Sequence, residues 1–348
     1  MAGSGGDLSN EKDPRIAVSQ LTGKPSERAL AKDIIEKYGR SSLDFFKLWP
    51  EKSYFFTEDK TCVIAYRTAL GVAISLGDPV GPDDMLEQSL REFMQFCSQK
   101  GWMVAFHQAL ADLLPTYRKL GLHVIKFGEE AVVDVAHFCS MTAENKFFRN
   151  VQHRFDHWGY TYGRYTPPHA KSLVDEVKEV SDEWLTLPGK REHGFALGWF
   201  DPGYLDQMPL DVIRDSTGSL IAFVNEAPDY RRGEAEIDMM RHRVKAPNSA
   251  MEYLLARLMF DLNARGHARF TLGLVPFAGV GDHVGANLEE KLIRLLFERG
   301  NRFFSFKGLH RYKDKFEPVW EDRFLIHQGG LVGLARTLLA EMRVITEL

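Results

Sequence analysis

Only three cysteines occur in the 348 residues, Cys62, Cys97 and Cys139, and they lie far apart. Their spacing suits neither a disulfide framework nor a zinc site, so they read as buried thiols of a reducing compartment. No uninterrupted apolar stretch approaches the roughly 18 residues that a bilayer-spanning helix requires. The opening MAGSGGDLSNEKDP lacks the apolar centre of a secretory signal, and residues 1–20 read as a disordered leader. An excess of one charge is missing as well. The 44 Lys and Arg against 48 Asp and Glu give a formal net charge of −4, so the molecule as a whole advertises no polyanion partner, although a local basic site remains open. Without GxGxxG or GxxxxGK[ST], neither a Rossmann nor a P-loop site is expected. There is no GxSxG elbow and no cysteine–histidine pairing, which sets covalent hydrolase chemistry aside.

What is present is globular. Apolar residues make up 44% and charged residues 26% of the chain, ordinary values, and its length predicts two domains. Pro25, apolar residues at helical spacing and Gly39 predict a surface helix. The runs from Ser53 to Gly81 read as antiparallel strands broken at Glu58-Asp59 and Asp78-Pro79. Leu86, Leu90, Phe93 and Phe96 share a helical face that ends at Gly101. WMVAFHQA then reads as a strand, LADLLPTYRKLG as a helix kinked at Pro115, and LHVIKFGEEAVVDVA as a strand pair.

The second half repeats that order. KSLVDEVKEVSDEWL is a helix with Leu173, Val174, Val177, Val180 and Trp184 inward, and GFALGWF, LDVIRDSTGSLIAFVNEA and EAEIDMMRHRV are strand-like. SAMEYLLARLMFDLNARG is a helix closed by Gly266, ARFTLGLVP a strand and NLEEKLIRLLFERG a helix; RFFSFKGLHRYKDKF and PVWEDRFLIH follow as loop and strand. Antiparallel strands followed by helix, strand, helix and strand, seen twice, predict an α/β (α+β) tandem of acyltransferase-like units. The expected divisions are a first domain over 21–145, a connector over 146–168, a second, catalytic domain over 169–330 and an amphipathic helix over 331–348. In that helix Leu331, Leu334, Leu338 and Met342 share a face, expected to pack on the domain, with a bilayer surface as the alternative.

Residues 299–323 interleave cations (Arg299, Arg302, Lys307, Arg311, Lys313, Lys315, Arg323) with six aromatic rings. That mixture suits a phosphate-bearing ligand with planar groups, or equally a solvated strand with an aromatic inner face. In EAEIDMMRHR, strict alternation sets Asp238 and Arg241 on opposite faces unless a bulge re-aims one of them. Placed in a cleft beside a cation, Asp238 can orient or deprotonate an attacking hydroxyl; otherwise it is a carboxylate facing water. Asn248 or Ser249 is expected to cap the next helix, with Glu252 near its first turn, a site for ordinary capping before anion binding. His153 and His157, four apart, read as a surface pair rather than metal ligands. The glycines of LGLVPFAGVGDHVGAN turn the chain or shape a pocket.

IDMMRHRVKAPNSAMEYLLARLM, then FTLGLVPFAGV, then FFSFKGLHRYKDKFEPVWEDRFLI closely resemble the catalytic region of the bacterial phosphatidylglycerol aminoacyltransferases, the lysyl- and alanyl-phosphatidylglycerol synthases. AVVDVAHFCSMTAENKFFRNVQHRFDHWGY in the first half resembles the same family, and the likeness covers most of residues 45–328. It implies a tandem of GNAT-like folds, and transfer of an aminoacyl group from its tRNA ester to a glycerol hydroxyl of phosphatidylglycerol. It implies no metal and no coenzyme, since the donor ester is already activated.

The family's Asp-x-x-Arg falls on Asp238 and Arg241, and its later basic cluster on Lys313 and Lys315, preceded by Arg311. The resemblance thus implies Asp238 for hydroxyl positioning or proton acceptance and Arg241 with Lys313 for lipid phosphate or oxyanion. Arg311 and Lys315, with Lys307 nearby, would meet phosphate, and Asn248, Ser249 and Glu252 are further candidates for substrate binding. Lys315 stands where the family often has arginine, which keeps the charge and loses the planar fork. Family members commonly carry a multi-helix membrane region before this part, and the expected location is the cytoplasmic side of the inner membrane, as a peripheral domain, or the cytoplasm. The alternatives are a related transferase with another acceptor or an acyl-coenzyme A donor, or a non-catalytic domain binding anionic lipid or RNA. The last is favoured if Asp238 and Lys313 are distant and locked in unrelated salt bridges.

Overall fold

The computed structural model describes residues 25–346, apart from 42, 229, 231–232 and 281–305. In the first half, helices α1 (Pro25–Tyr38) and α2 (Leu43–Phe46) precede strands β1 (Ser53–Phe56), β2 (Val63–Ala69) and β3 (Val72–Leu76). Helix α3 (Leu86–Gln99), strand β4 (Met103–Ala109), helix α4 (Leu114–Lys119) and strand β5 (His123–Asp134) complete it. Helices α5 (Val135–Ser140) and α6 (Lys146–His157) lead to β6 (Thr161–Tyr165), α7 (Lys171–Leu185) and the short α8 (Pro202–Leu205). Strands β7 (Leu210–Arg214), β8 (Leu220–Ala227) and β9 (Glu234–His242), helix α9 (Ala250–Ala264) and strand β10 (Arg269–Pro276) follow. Helix α10 (Phe306–Asp314), strand β11 (Val319–His327) and helix α11 (Gly330–Thr346) end the described chain.

One mixed sheet of eleven strands runs through both halves, in the order β1-β2-β3-β4-β11-β5-β10-β9-β8-β7-β6. Each half contributes an antiparallel run, a helix and one parallel pair, β3 with β4 and β9 with β10. The last strands are exchanged. β5 pairs with β10 of the second half, β11 pairs with β4 of the first, and β5 and β11 pair antiparallel from Val319↔Val132 to His327↔His123. The anticipated α/β duplication is therefore built as a single sheet, with the two halves locked through their final strands.

Several local expectations change for physical reasons. LHVIKFGEEAVVDVA is one 12-residue strand rather than a pair, because β10 and β11 each ladder along it; a Cβ at Gly128 would lie 2.5 Å from the Val275 carbonyl oxygen. Pro115 opens α4 within its first two positions instead of kinking a helix, where its missing N–H costs nothing. GFALGWF is irregular rather than a strand, and part of RFFSFKGLHRYKDKF is the helix α10 rather than a loop. NLEEKLIRLLFERG, most of the glycine-rich GVGDHVGAN loop, and Arg299 and Arg302 lie outside the described residues.

Two apolar layers cover the sheet. Phe138, Phe148, Phe155, Tyr253, Leu258 and Phe270 form one with α5, α6 and α9. On the other, Val177, Val180, Leu205 and Phe223 of the second half meet Phe45, Phe46 and Trp49 of the first. Each such side chain contributes roughly 1.5–3 kcal/mol on burial, so this shared layer holds the halves together and forms the floor near the site. Helix α11 buries Leu334, Leu338 and Val344 but leaves Leu331 and Met342 exposed, which splits the face expected from the sequence. Among the described residues no helix is long and apolar enough to cross a membrane.

Candidate active site

Asp238 lies at an irregularity in the β8–β9 ladder. Val224 pairs with Met240 and Glu226 with Ile237, so Asp238 and Met239 together face the single residue Asn225. The Asn225 side chain fills the gap by accepting from the Met239 N–H at 2.8 Å. This bulge breaks the alternation that would have set Asp238 and Arg241 on opposite faces. Both now reach the same irregular segment, residues 190–201.

That segment is held by side chains because it has no ladder of its own. Arg241 grips Glu192 with both guanidinium nitrogens, at 2.9 and 2.5 Å, donates to Ser181 Oγ at 2.5 Å and lies over the Trp184 ring. The Phe200 N–H donates back to Glu192 at 3.2 Å. Lys52, fully buried, donates to the Phe195 carbonyl at 2.8 Å, and burial lowers its pKa to about 8. Trp199 stacks on Trp49 with ring centroids 4.2 Å apart. Asp201 caps α8 by accepting from the Tyr204 N–H at 2.8 Å, which fixes where Tyr204 begins its reach into the site.

The Asp238 carboxylate accepts from the Gly198 N–H at 2.8 Å and the Tyr204 hydroxyl at 2.5 Å. Gly198 is pressed so close that a Cβ there would lie 1.9 Å from Asp238 Oδ2. Burial raises the Asp238 pKa above the ordinary carboxylate value, against the opposing pull of Tyr204, Gly198 and Arg241. Tyr204 is pushed well above the usual phenol value by burial and by the charge of Asp238, so it remains a donor. A carboxylate so placed is a better proton acceptor than one in water.

Lys313 stands at the other side of the opening between β9 and β10. These strands pair only from Arg269↔Glu234 to Thr271↔Glu236, and the β10 register with β5 breaks between Thr271 and Leu274. At this break Lys313 Nζ donates to two carbonyls, Gly273 O at 2.8 Å and Leu274 O at 3.0 Å. The side chain is buried, and desolvation lowers its pKa to about 8 while Glu130 and Glu236 pull it back up. Glu236 also acts on Tyr204, so one carboxylate influences both Lys313 and the tyrosine that holds Asp238. Among the described residues neither Asp238 nor Lys313 is locked in an unrelated salt bridge.

The remaining candidates fall elsewhere. Lys315 pairs with Glu252 at 2.7 Å and its ammonium lies over the Phe147 and Tyr312 rings, so those two predicted binders satisfy each other. Ser249 occupies the N-cap of α9 in a left-handed conformation, φ 73°, and its side chain makes no capping bond; the expected Ser or Asn cap is absent. Asn248 is exposed and offers its carbonyl to Arg154 at 2.9 Å. Lys307 and Arg311 are exposed on α10, and His153 and His157 form the expected surface pair. Asp211, Glu226 and Asp261 bring carboxylate oxygens within 4.8 Å of one another, yet Glu226 already accepts from Arg164 at 2.7 Å and Arg265 at 2.9 Å, which supply the positive charge a metal would. Sequence reasoning missed Glu192, Gly198, Tyr204, Asn225 and Glu236; the Asp-Pro pair before Tyr204 and the two glycines of GFALGWF were the available signals.

Duplicated α/β halves, with a parallel strand pair that opens between a half-buried carboxylate and a buried lysine, are the architecture of a GNAT-like fold. The family described as "Phosphatidylglycerol lysyltransferase, C-terminal" matches residues 32–327, and the chain belongs to it. It is 33% identical over 312 residues to the phosphatidylglycerol lysyltransferase of Staphylococcus epidermidis RP62A, covering 90% of this chain and 37% of that protein. The chain thus spans little more than a third of the length of the curated relatives it matches. The solved L-PGS from Bacillus licheniformis is 30% identical with a TM-score of 0.81, covering 93% of this chain and 98% of that one. FemX shares the fold alone, with a TM-score of 0.54 at 7% identity over 86% of this chain and 95% of that one.

Proposed function

We propose that this chain transfers an aminoacyl group, lysyl or alanyl, from aminoacyl-tRNA to a hydroxyl of the glycerol head group of phosphatidylglycerol. The observation that carries the reading is the Asp238 carboxylate, half-buried against Gly198 and Tyr204 with a raised pKa, beside the β9–β10 opening of a chain from this family. The acceptor hydroxyl attacks the ester carbonyl and passes its proton to Asp238. The new C–O bond forms as the bond to the tRNA ribose breaks, and the proton returns to the departing ribose oxygen. No redox partner is needed, because the ester supplies the driving force.

Lys313 stabilises the oxyanion. An ammonium has three N–H bonds; two serve Gly273 and Leu274, and the third remains for charge that develops on the carbonyl oxygen. Arg241, committed to Glu192, acts as a positioning residue for the segment that carries Gly198 rather than as a phosphate ligand. Lys307 and Arg311, both exposed, would meet phosphate of lipid or tRNA.

The test is transfer of labelled amino acid from lysyl-tRNA and alanyl-tRNA, separately, to phosphatidylglycerol in detergent micelles. Label in a lipid product is the expected result, and it should be lost in a folded Asp238→Asn variant. Label that stays on tRNA with the unaltered protein, or full turnover by the variant, removes the reading or the role of Asp238 respectively.

A further inference from the structure

Helix α11 is amphipathic in an unusual sense: both of its faces are apolar. The inner face packs on the sheet through Leu334, Leu338 and Val344, and its sole acidic residue among those described, Glu341, turns inward to His107 Nδ1 at 2.9 Å. The outer face leaves Leu331 44%, Val332 82%, Leu339 59% and Met342 65% exposed. At about 100° per residue these four and Ala335 fall within about 100° of arc, and Arg336 and Arg343 line one edge of that strip. Leu70, also exposed, extends the strip at the β2–β3 turn, where its carbonyl accepts from Arg336 Nε at 2.5 Å. Single exposed apolar residues are normal, but a contiguous strip of this kind marks a contact surface.

We infer that the outer face of α11 docks the protein on an anionic lipid bilayer. Large apolar side chains bordered by arginines, with no carboxylate on the face among the described residues, match the acyl boundary and the negative head groups of such a membrane. A second protein surface would have to supply both a matching apolar strip and acidic partners. The helix is also tied to the site: the Gly194 N–H donates to the Ile345 carbonyl at 3.2 Å, four residues before the Gly198 that packs on Asp238. That bond ties the 190–201 segment, in which Leu197 is exposed, to the end of the docking helix. The inference goes beyond the proposed reaction and stands on the composition of the helix; the reaction bears only on which lipid is used as probe.

The test is partition of the full chain onto vesicles of phosphatidylcholine, with and without an equal share of phosphatidylglycerol. The expected result is preferential binding to the anionic vesicles, reduced at least about tenfold by the double substitution Val332→Glu and Leu339→Glu. Arg336→Gln and Arg343→Gln should each weaken binding about fivefold, on anionic vesicles only. All four positions are on the surface, so melting temperatures should hold, and the Val332→Glu, Leu339→Glu protein should keep its transfer activity in micelles while losing it on vesicles. Equal binding to both vesicle types, or binding unchanged in that double variant, overturns the inference. So does light scattering that finds a dimer which the same variant turns into monomer, since a second copy would then cover the face. Anionic-vesicle binding by a protein that transfers nothing in micelles supports the surface and sinks the proposed reaction.

Discussion

Replacing Gly198 with alanine tests the site at its tightest point. The added methyl carbon would sit 1.9 Å from Asp238 Oδ2 and 2.8 Å from the Tyr204 ring, whereas real contacts of this kind essentially never fall below 3.0 Å. The carboxylate must therefore retreat by about 1.1 Å, or the 190–201 segment must lift by as much. The segment resists, being pinned by Arg241 on Glu192, Lys52 on Phe195 and Trp49 on Trp199. Overpacking a closed site costs about 1–3 kcal/mol, and misplacing a catalytic group by about 1 Å costs about 100-fold in rate. Gly198→Ala should thus melt a few degrees lower and lose roughly two orders of magnitude in kcat/KM for transfer to phosphatidylglycerol, with binding of charged tRNA nearly unchanged. Steady-state transfer in micelles and a thermal melt measure both. Transfer within twofold of the unaltered protein would mean that the carboxylate need not sit where the structure holds it, and the mechanism built on Asp238 would fall.

Further outcomes follow from the same geometry. Tyr204→Phe removes a hydrogen bond that favours ionised Asp238, so the acid limb of the kcat/KM profile should move to higher pH; an unmoved limb means another group titrates there. Lys313 has a folded pKa of about 8, below the ordinary 10.5. Between those values the unfolded chain holds a proton that the folded one has released, so stability should rise with pH across that window by roughly 3 kcal/mol, and Lys52 should add a similar rise. Lys313→Met should halve the combined effect in denaturant titrations at pH 7 and pH 10, and transfer should decline above about pH 8, a limb that Lys313→Arg pushes upward. Arg241→Lys and Glu192→Gln should each lower kcat more than they raise KM. The two should couple by about 1–3 kcal/mol in a double-mutant cycle; additive losses would show that the bidentate pair does not act as a unit.

The order of strands and helices in both halves was legible because it is local: apolar periodicity, glycine stops and turn residues lie within a few positions of what they determine. The meeting of Asp238 and Arg241 was not. It depends on the two-against-one register opposite Asn225, and nothing within EAEIDMMRHR announces that a side chain of β8 will take a rung of its ladder. The same limit hid the pairing of Lys315 with Glu252, which lie 63 residues apart, and turned two separately chosen binders into one ion pair. Ser249 looked like a cap by residue type, but its left-handed backbone carries the hydroxyl away from the amides it would have met. GFALGWF read as a strand because its apolar content is that of one, while the Gly198 and Phe200 N–H groups and the Phe195 carbonyl go to Asp238, Glu192 and Lys52 rather than to a neighbouring strand.

The exchanged strands explain why the second half alone would hold an incomplete site although it contributes Asp238, Arg241 and Lys313. Glu130, on β5 of the first half, accepts from Thr271 Oγ1 of β10 at 2.8 Å and from Arg323 of β11, and its charge is the largest influence keeping Lys313 protonated against burial. Trp49 and Lys52, also of the first half, hold the segment that presents Gly198. Removing the first half would leave the edge of β10 unpaired, strand β11 without either neighbour and Lys313 without that countercharge, in a site where an unpaired buried ammonium releases its proton. The first half lacks a basic-aromatic segment of its own, yet it sets the electrostatics of the one in the second. Duplication here has produced one site with two supports.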